Sequence, residues 1–411
     1  MIKRILSISA QKPNSTGSGV YLTELVKAYH GLGCEQAVIA GINQMDEVEL
    51  PEGVAFYPVQ FQSEELPYPV VGMSDVMPYA HTRYCDLTPE MTEQFVTAFK
   101  KRIRQVIREF CPDLIICHHL YVATMLTVEV VQEMAAEDKA PRVVAICHST
   151  CLRQYRKNAL LKERIFNGIR GLDRIYALHS GQRRDISRIF ELPEEEIEII
   201  GAGYNEAIFH RGLNGEELGV CFAGKISQAK GVKSLLCAMA QVQTKQPVHL
   251  YLAGGSAEED EVEEIHQMAE ELREKHGYQT AFLGKLPQRE LAECYRKCQV
   301  FVLPSFYEGL PLVLLEAMAC GCLAVAADWE GVKEWIFQKV PDACLEVVKL
   351  PEMETPGVPR EEELPDYEMR LAKALDKQLA AAERGMVQAD MSAMTWGCVA
   401  ESILWKEEKE C

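Results

Sequence analysis

Short apolar runs alternating with longer stretches of helical periodicity constrain this chain more than any other feature, because the pattern repeats through both halves of its 411 residues. Such runs read as strands covered on both faces, and the helical stretches as the crossovers that join parallel strands. In the first half, strands are expected at 5–8, 36–40, 114–117, 143–147 and 174–177, with helices at 21–30 and 89–110 among them. Residues 41–88 hold several prolines and little periodicity. From about Gly201 the pattern restarts, with strands expected at 219–223, 249–253, 280–283, 300–304 and 323–326. The intervening helices fall at about 231–243, 259–276, 289–298 and 311–320. The acidic, proline-rich stretch 340–366 reads as a loop or insertion, and helical periodicity returns at 367–383 and 395–406.

A single hydrophobic core stops growing at roughly 250–300 residues, so two domains are expected. They are placed at 1–200 and 201–392, with a helix at about 393–411 packing back on the first. The fold class is α/β, two facing Rossmann-like domains with an interdomain cleft. Ligands in such sheets sit outside the carboxyl ends of the strands.

Composition excludes several classes. Apolar residues make up 48% and charged residues 25%, as in ordinary globular proteins. No apolar run reaches the ~18 residues that span a bilayer, and the opening segment reads as a first strand rather than a signal peptide. Fifteen cysteines, an odd number scattered singly, fit reduced thiols and a cytoplasmic location. The closest in sequence, Cys147/Cys151, Cys294/Cys298 and Cys320/Cys322, lack the second pair of a zinc ribbon and read as buried structural thiols. A net charge of −18 disfavours nucleic acid as a partner. The charge is uneven, −4 over 1–200 and −14 over 201–411, and within the first half residues 153–188 carry a local +7.

The sharpest motif is the run from Ser305 to Gly321, in which seven residues separate Glu308 from Glu316. It follows an expected strand and opens a helix, with Pro311 suited to the first helical turn. Glu308 then lies in the loop at the strand's carboxyl end, and Glu316 about a turn and a half into the helix. The amides of Gly309, Leu310 and Leu312 stand at a positive helix end, a natural phosphate site. Two carboxylates so spaced can grip hydroxyls on either side of that phosphate, sugar on one and ribose on the other. The structural alternative makes Glu308 a helix cap and Glu316 a solvated face residue. Against it, Glu316 stands in an otherwise apolar stretch, where an unpartnered carboxylate is costly.

Three further loops carry chemistry. Gly224 to Gly231 places Lys225 and Lys230 five residues apart after a strand. They can flank a diphosphate and neutralise a leaving group, or be two solvated surface lysines. Lys12 to Tyr21 holds Gly17 and Gly19 between the first strand and helix, permitting a close backbone approach to a ligand, though the full dinucleotide fingerprint needs a third glycine. His148 leaves a strand at the expected cleft edge, either catalytic or structural. His118-His119 is a similar case, acceptor-facing or a capped turn. The basic residues Arg153, Arg156 and Lys157 follow His148 closely. They can attract an anionic acceptor or pair with the acidic second domain. A membrane-surface role for Arg183, Arg184 and Arg188 is disfavoured by the overall charge. The chain has no Gly-x-Ser-x-Gly, His-Glu-x-x-His, Walker or Asp-x-Asp motif.

Together these residues resemble the retaining glycosyltransferases of the two-domain GT-B architecture, family 4, the glycosyl transferases group 1. The resemblance is strongest over about residues 200–340, is weaker but continuous over the first domain, and takes in Thr395-Trp396 near the end. It implies that Glu308 holds the donor sugar's hydroxyls, Glu316 the ribose, and the amides of Gly309, Leu310 and Leu312 the diphosphate. Lys230 matches the family's lysine, and Lys225 stands where arginine is usual, keeping the charge without the bidentate fork. Gly17 and Gly19 fall where the family's first-domain loop approaches the donor phosphates, and His148 matches the histidine beside the sugar's reacting carbon. Gly284, Lys285 and Leu286 fall where backbone meets the base, and the run from Gly201 to Phe209 resembles the interdomain hinge.

The resemblance implies catalysis by His148, Glu308 and Lys230; His118, Arg153 and Arg156 read as acceptor-facing from their positions in the sequence alone. The donor is a UDP-, GDP- or ADP-sugar, the acceptor a small molecule or glycan, and neither metal nor other cofactor is required. The diphosphate leaves first, the acceptor attacks from the same face, and the departing phosphate takes its proton, with retention of configuration. Two other enzyme readings of the same architecture are a nucleotide-sugar epimerase and a glycan phosphorylase, the latter lacking its cofactor-lysine signature here. A catalytically silent nucleotide-sugar-binding protein is the alternative from another class.

Overall fold

The structure, a computed structural model, describes residues 2–135, 140–212, 218–244, 246–255, 259–355 and 357–409. The chain forms two compact units, Met1–Ala202 with Trp396–Cys411, and Gly203–Thr395.

The first unit is built on a seven-stranded sheet of order β3-β2-β1-β6-β7-β8-β9. Its strands are β1 (Arg4–Ser9), β2 (Glu35–Asn43), β3 (Ala55–Phe61), β6 (Leu114–His118), β7 (Arg142–Ile146), β8 (Arg174–Ala177) and β9 (Ile197–Ile199). Every pairing in it is parallel. Helices α1 (Gly17–Gly31), α2 (Pro89–Phe110), α3 (Val122–Met134), α4 (Ser149–Lys157), α5 (Lys162–Arg170) and α6 (Ser180–Phe190) follow strands or bridge between them. β1 and β6 are buried almost throughout, which is why they read as unbroken apolar runs rather than alternating ones. Two edge strands were not expected, β3 and β9, and both are only partly buried. β3 lies in the proline-rich stretch, as do the short parallel partners β4 (Val71–Gly72) and β5 (Thr82–Arg83). α1 begins four residues before its expected start because Thr16 caps it, accepting from the Gly19 amide.

The second unit repeats the plan with six strands, in the order β12-β11-β10-β13-β14-β15, all parallel. They are β10 (Gly219–Ala223), β11 (His249–Ala253), β12 (Gln279–Gly284), β13 (Val300–Leu303), β14 (Leu323–Ala327) and β15 (Leu345–Val348). Its helices are α7 (Val232–Met239), α8 (Glu259–His276), α9 (Gln288–Lys297), α10 (Leu312–Ala319), α11 (Val332–Lys339) and α12 (Leu364–Glu383). Here the loop expected at 340–366 is corrected. Its Leu-Glu-Val-Val segment pairs with β14 as β15 and completes the sheet. Beyond it, β16 (Met353–Thr355) and β17 (Val358–Pro359) form a small antiparallel pair. Four residues between prolines carry too little periodicity to separate strand from loop. Pro311 is also corrected: it caps α10 in an extended conformation instead of opening its first turn.

The last helix, α13 (Trp396–Glu408), belongs to the first unit. Trp396 packs edge-on against Tyr21, ring centroids 4.7 Å apart. At the other end Glu407 is completely buried. Its Oε2 accepts from Arg142 Nε and Nη2 at 2.9 and 2.8 Å. Its Oε1 accepts from Arg174 Nε at 2.8 Å and from the Tyr176 hydroxyl at 2.5 Å. One carboxylate thus satisfies the mostly buried cations that open β7 and β8. Removing the carboxylate at the centre of such a group takes the main counter-ion from mostly buried cations. Glu407→Ala is therefore expected to cost about 3–5 kcal/mol in urea unfolding, and Tyr176→Phe only about 1 kcal/mol. A Glu407→Ala midpoint equal to the parent's, at unchanged slope, would show that the network does not hold the helix.

Candidate active site

In the second unit the chain winds outward from β10 through β11 and β12, then returns to β13 and winds the other way. The loops that leave β10 and β13 therefore part from one another at the carboxyl edge, the switch point where open parallel sheets form a crevice. Lys230 lies on the first loop and Glu308 on the second. Lys230 Nζ meets Glu308 Oε1 at 2.6 Å, and the Phe306 amide donates to the Ala229 carbonyl at 3.1 Å. Such proximity demands a residue without a side chain at Gly231. It has φ +71°, and a Cβ there would lie 2.3 Å from the Pro304 carbonyl oxygen. The Glu308 loop is braced from behind: Tyr367 donates its hydroxyl hydrogen to the Pro304 carbonyl, and Trp329 its indole N–H to that of Ser305, both at 2.9 Å.

Glu316 occupies the fifth position of α10 and is buried at 8% exposure, so the solvated-face alternative does not hold. Gly309, Leu310 and Leu312 are half-buried around the start of α10, where the first amides have no intrahelical acceptors. The two lysines differ. Lys225 is exposed, while Lys230 is half-buried and paired. Gly284 ends β12 with φ +65° and accepts from the Gly254 amide at 2.7 Å; Lys285 beside it is exposed and Leu286 half-buried. The same edge of this sheet thus carries the expected residues of three loops.

The first unit has its own switch point, between β1 and β6. Gly17 and Gly19 lie in the first turn of α1. A Cβ on Gly19 would stand 2.9 Å from the Lys12 carbonyl oxygen, so the loop's own closure requires glycine; one on Gly17 would meet nothing within 4 Å. Three histidines gather beside this loop. His118 ends β6, His119 follows with φ +75°, and His148 follows β7 as the N-cap of α4. His118 Nδ1 and His148 Nε2 are 3.3 Å apart. His119 Nε2 reaches Ser18 Oγ at 3.1 Å and Gln11 Nε2 at 3.4 Å. All three rings are buried. Burial pushes His148 down to about 3, and holds His118 and His119 well below the ordinary histidine range. Near neutral pH these are uncharged imidazoles, hydrogen-bonding groups rather than cations.

Of the residues expected toward an acceptor, His118 is buried with its ring against His148. Arg153 and Arg156 lie on α4. Arg153 reaches Ser74 Oγ at 3.4 Å, Arg156 pairs with Asp185 at 2.8 Å, and Lys157 lies 3.5 Å from Asp75. These carboxylates belong to the first unit, so Arg156 and Lys157 have counter-ions within it. Sequence reasoning missed Gln11 and Ser18 beside His119. Their one available signal was the position, on the loop and helix start that follow the first strand. Among the described residues no group of three or more His, Cys, Asp or Glu side chains converges as metal ligands.

Two family models match the chain, Glycosyltransferase Family 4 over residues 15–207 and Glycosyl transferases group 1 over residues 204–349. An uncharacterized glycosyltransferase of Methanocaldococcus jannaschii is 28% identical over 184 residues, covering 39% of this chain and 46% of its own. The alpha-maltose-1-phosphate synthase of Mycolicibacterium smegmatis is 26% identical over 257 residues, covering 57% and 63%. The chain thus spans about half to three-fifths of the length of these curated relatives. Among solved structures, Anabaena HepE in complex with UDP superposes with a TM-score of 0.61 at 15% identity, over 99% of this chain and 100% of that one. With the two models meeting end to end across both units and the GT-B fold shared along the whole length, the chain belongs to the group 1, family 4 type of glycosyltransferases.

Proposed function

We propose that this protein transfers a sugar from a nucleoside-diphosphate sugar to an acceptor hydroxyl, with retention of configuration and without a metal ion. The observation that carries the reading is the Lys230–Glu308 pair at the second unit's switch point, one helix start away from the buried Glu316. A cation, the amides of the loop and helix start at Gly309, Leu310 and Leu312, and two carboxylates suit a ligand with a diphosphate between two sets of hydroxyls. Without ligand, Lys230 and Glu308 satisfy each other. On donor binding the ammonium turns to the diphosphate and the carboxylate to sugar hydroxyls. The exchange trades one charged contact for others of the same kind.

Lys230, with Lys225 and the amides of Gly309, Leu310 and Leu312, stabilises the charge that grows on the leaving diphosphate. Glu316 holds the ribose. Gly284, Lys285 and Leu286 supply backbone to the base, which is that of a UDP-, GDP- or ADP-sugar. In the first unit Gly17 and Gly19 accommodate donor phosphates, and His148 acts on the sugar as a neutral hydrogen-bonding group. The acceptor is a small molecule or glycan. The sugar-phosphate product named for the mycobacterial relative, together with Arg153 and Arg156, favours one bearing a negative charge.

The two glutamates are expected to separate by role. Glu308→Gln should lower kcat by more than about tenfold with free-nucleotide affinity near the parent's, since the sugar's bonding changes in the transition state. Glu316→Gln should weaken free nucleotide and donor alike by about tenfold or more, appearing first in KM. Parent-like turnover and nucleotide binding in both folded variants would place the donor site elsewhere.

Activity is expected to persist in EDTA. The chain has no Asp-x-Asp, and its lysines and helix amides take the diphosphate. Loss of turnover in chelator, restored by Mg²⁺ or Mn²⁺, would overturn the metal-independent reading, while anomeric analysis of the product by NMR tests retention.

A further inference from the structure

Two histidines occupy matching places in the first sheet. His148 follows β7 and caps α4, and His179 follows β8 and caps α6. His179 does what a polar N-cap usually does: its Nδ1 accepts from the Gln182 amide at 3.3 Å. His148 does not cap its helix with its side chain. Its ring lies nearly parallel to that of His118, interplanar angle 10° and centroids 5.5 Å apart. The contact between them is His118 Nδ1 to His148 Nε2. Tyr21 closes another side of the His148 ring, edge-on at 5.2 Å, and His119 a third at 4.7 Å. The ring is thus withheld from the backbone and fixed by other side chains, leaving its Nδ1 without a partner in the chain among the described residues.

We infer that His118 is a positioning residue, which holds the His148 imidazole in one orientation and one tautomer so that His148 Nδ1 is presented to the donor sugar. This deepens the proposed function and rests on its placement of His148 at the sugar. The chemistry follows from the contact. Both rings are neutral, so a single hydrogen lies between Nδ1 of one and Nε2 of the other. That hydrogen couples the two rings, so the opposite nitrogen of His148 changes its state only if the buried His118 changes tautomer with it. An imidazole free to exchange tautomers would offer a donor part of the time and an acceptor the rest. A ligand hydroxyl or ring oxygen matched to one of them would then meet the wrong partner. The role parallels that of the outer groups that orient metal-bound histidines, transferred to a histidine that meets a substrate.

The test uses the full chain and two substitutions. His118→Phe keeps a flat ring against His148 and removes the nitrogen. His118→Asn returns an amide near the place of Nδ1. In long-range proton–nitrogen spectra of the ligand-free protein, the parent His148 ring should show one tautomer, His118→Phe a mixture, and His118→Asn one tautomer again. With a nucleotide-sugar donor, His118→Phe should lose about tenfold in kcat, as expected for one misplaced hydrogen bond. UDP, GDP or ADP, whichever the parent binds, should keep its affinity within about twofold, and His118→Asn should recover most of the loss. A His118→Phe protein with parent kcat, or with a single His148 tautomer, overturns the inference. So does loss of kcat in His118→Phe that His118→Asn leaves unrestored while thermal unfolding shows both variants folded. If the parent turns over no nucleotide sugar, the proposed function fails instead, and the ring spectra still decide whether His118 sets the His148 tautomer.

Discussion

Both main sheets are parallel throughout, and that constraint decides where chemistry can be placed. A parallel pair needs a crossover between its strands, so each unit sends all its carboxyl ends to one edge. The strand bodies are covered on both faces and tolerate few polar groups. Polar side chains collect where strands end, and most of all where the winding reverses. In one unit that reversal gathers Lys230 and Glu308; in the other it gathers the glycine-bearing loop and the histidines. In the second unit the loops must approach closely to do so, which is why Gly231 stands where a Cβ would strike the Pro304 backbone.

The legibility of the chain follows the same logic. Inner strands such as β10, buried through its length, and β8, buried after Arg174, stood at their full bounds in the apolar pattern. Three of the four edge strands of the main sheets, β3, β9 and β15, did not. An edge strand is covered less, so its sequence mixes polar with apolar residues and resembles a loop. Glu308 and Glu316 were visible because an apolar helix start makes a carboxylate conspicuous. Glu407 was not. On a helix rich in lysine and glutamate it looks like one more surface charge, and only the fold brings it to Arg142, Arg174 and Tyr176, more than two hundred residues away in sequence. His118 was visible as a residue type but not in its partner, since thirty residues of chain separate it from His148.

The two switch points are electrostatic opposites. In the second unit the groups are charged, opposite in sign and partly open to water, with side-chain exposures of 31% for Lys230 and 15% for Glu308. Charge survives there because each ion has its counterpart and some solvent, and it remains available to another partner. In the first unit the polar groups are uncharged rings packed against one another and against Tyr21. No neighbouring cation is needed to keep His148 neutral; burial is the whole cause of its lowered pKa.

This division fits the demands of the proposed transfer. A departing diphosphate gathers negative charge and calls for cations and amide dipoles, which the second unit holds ready. The carbon it leaves gathers positive character in the oxocarbenium-like transition states typical of glycosyl transfer. An imidazolium beside that carbon would repel the charge, and an unpaired carboxylate buried there would carry a large desolvation cost. A neutral imidazole avoids both, provided its ring cannot turn and its tautomer cannot drift. Burial alone removes the charge but does nothing to stop rotation or tautomer exchange. The contact with His118 and the packing of Tyr21 supply what burial leaves out, and so the proposed role of His148 depends as much on its neighbours as on its own ring.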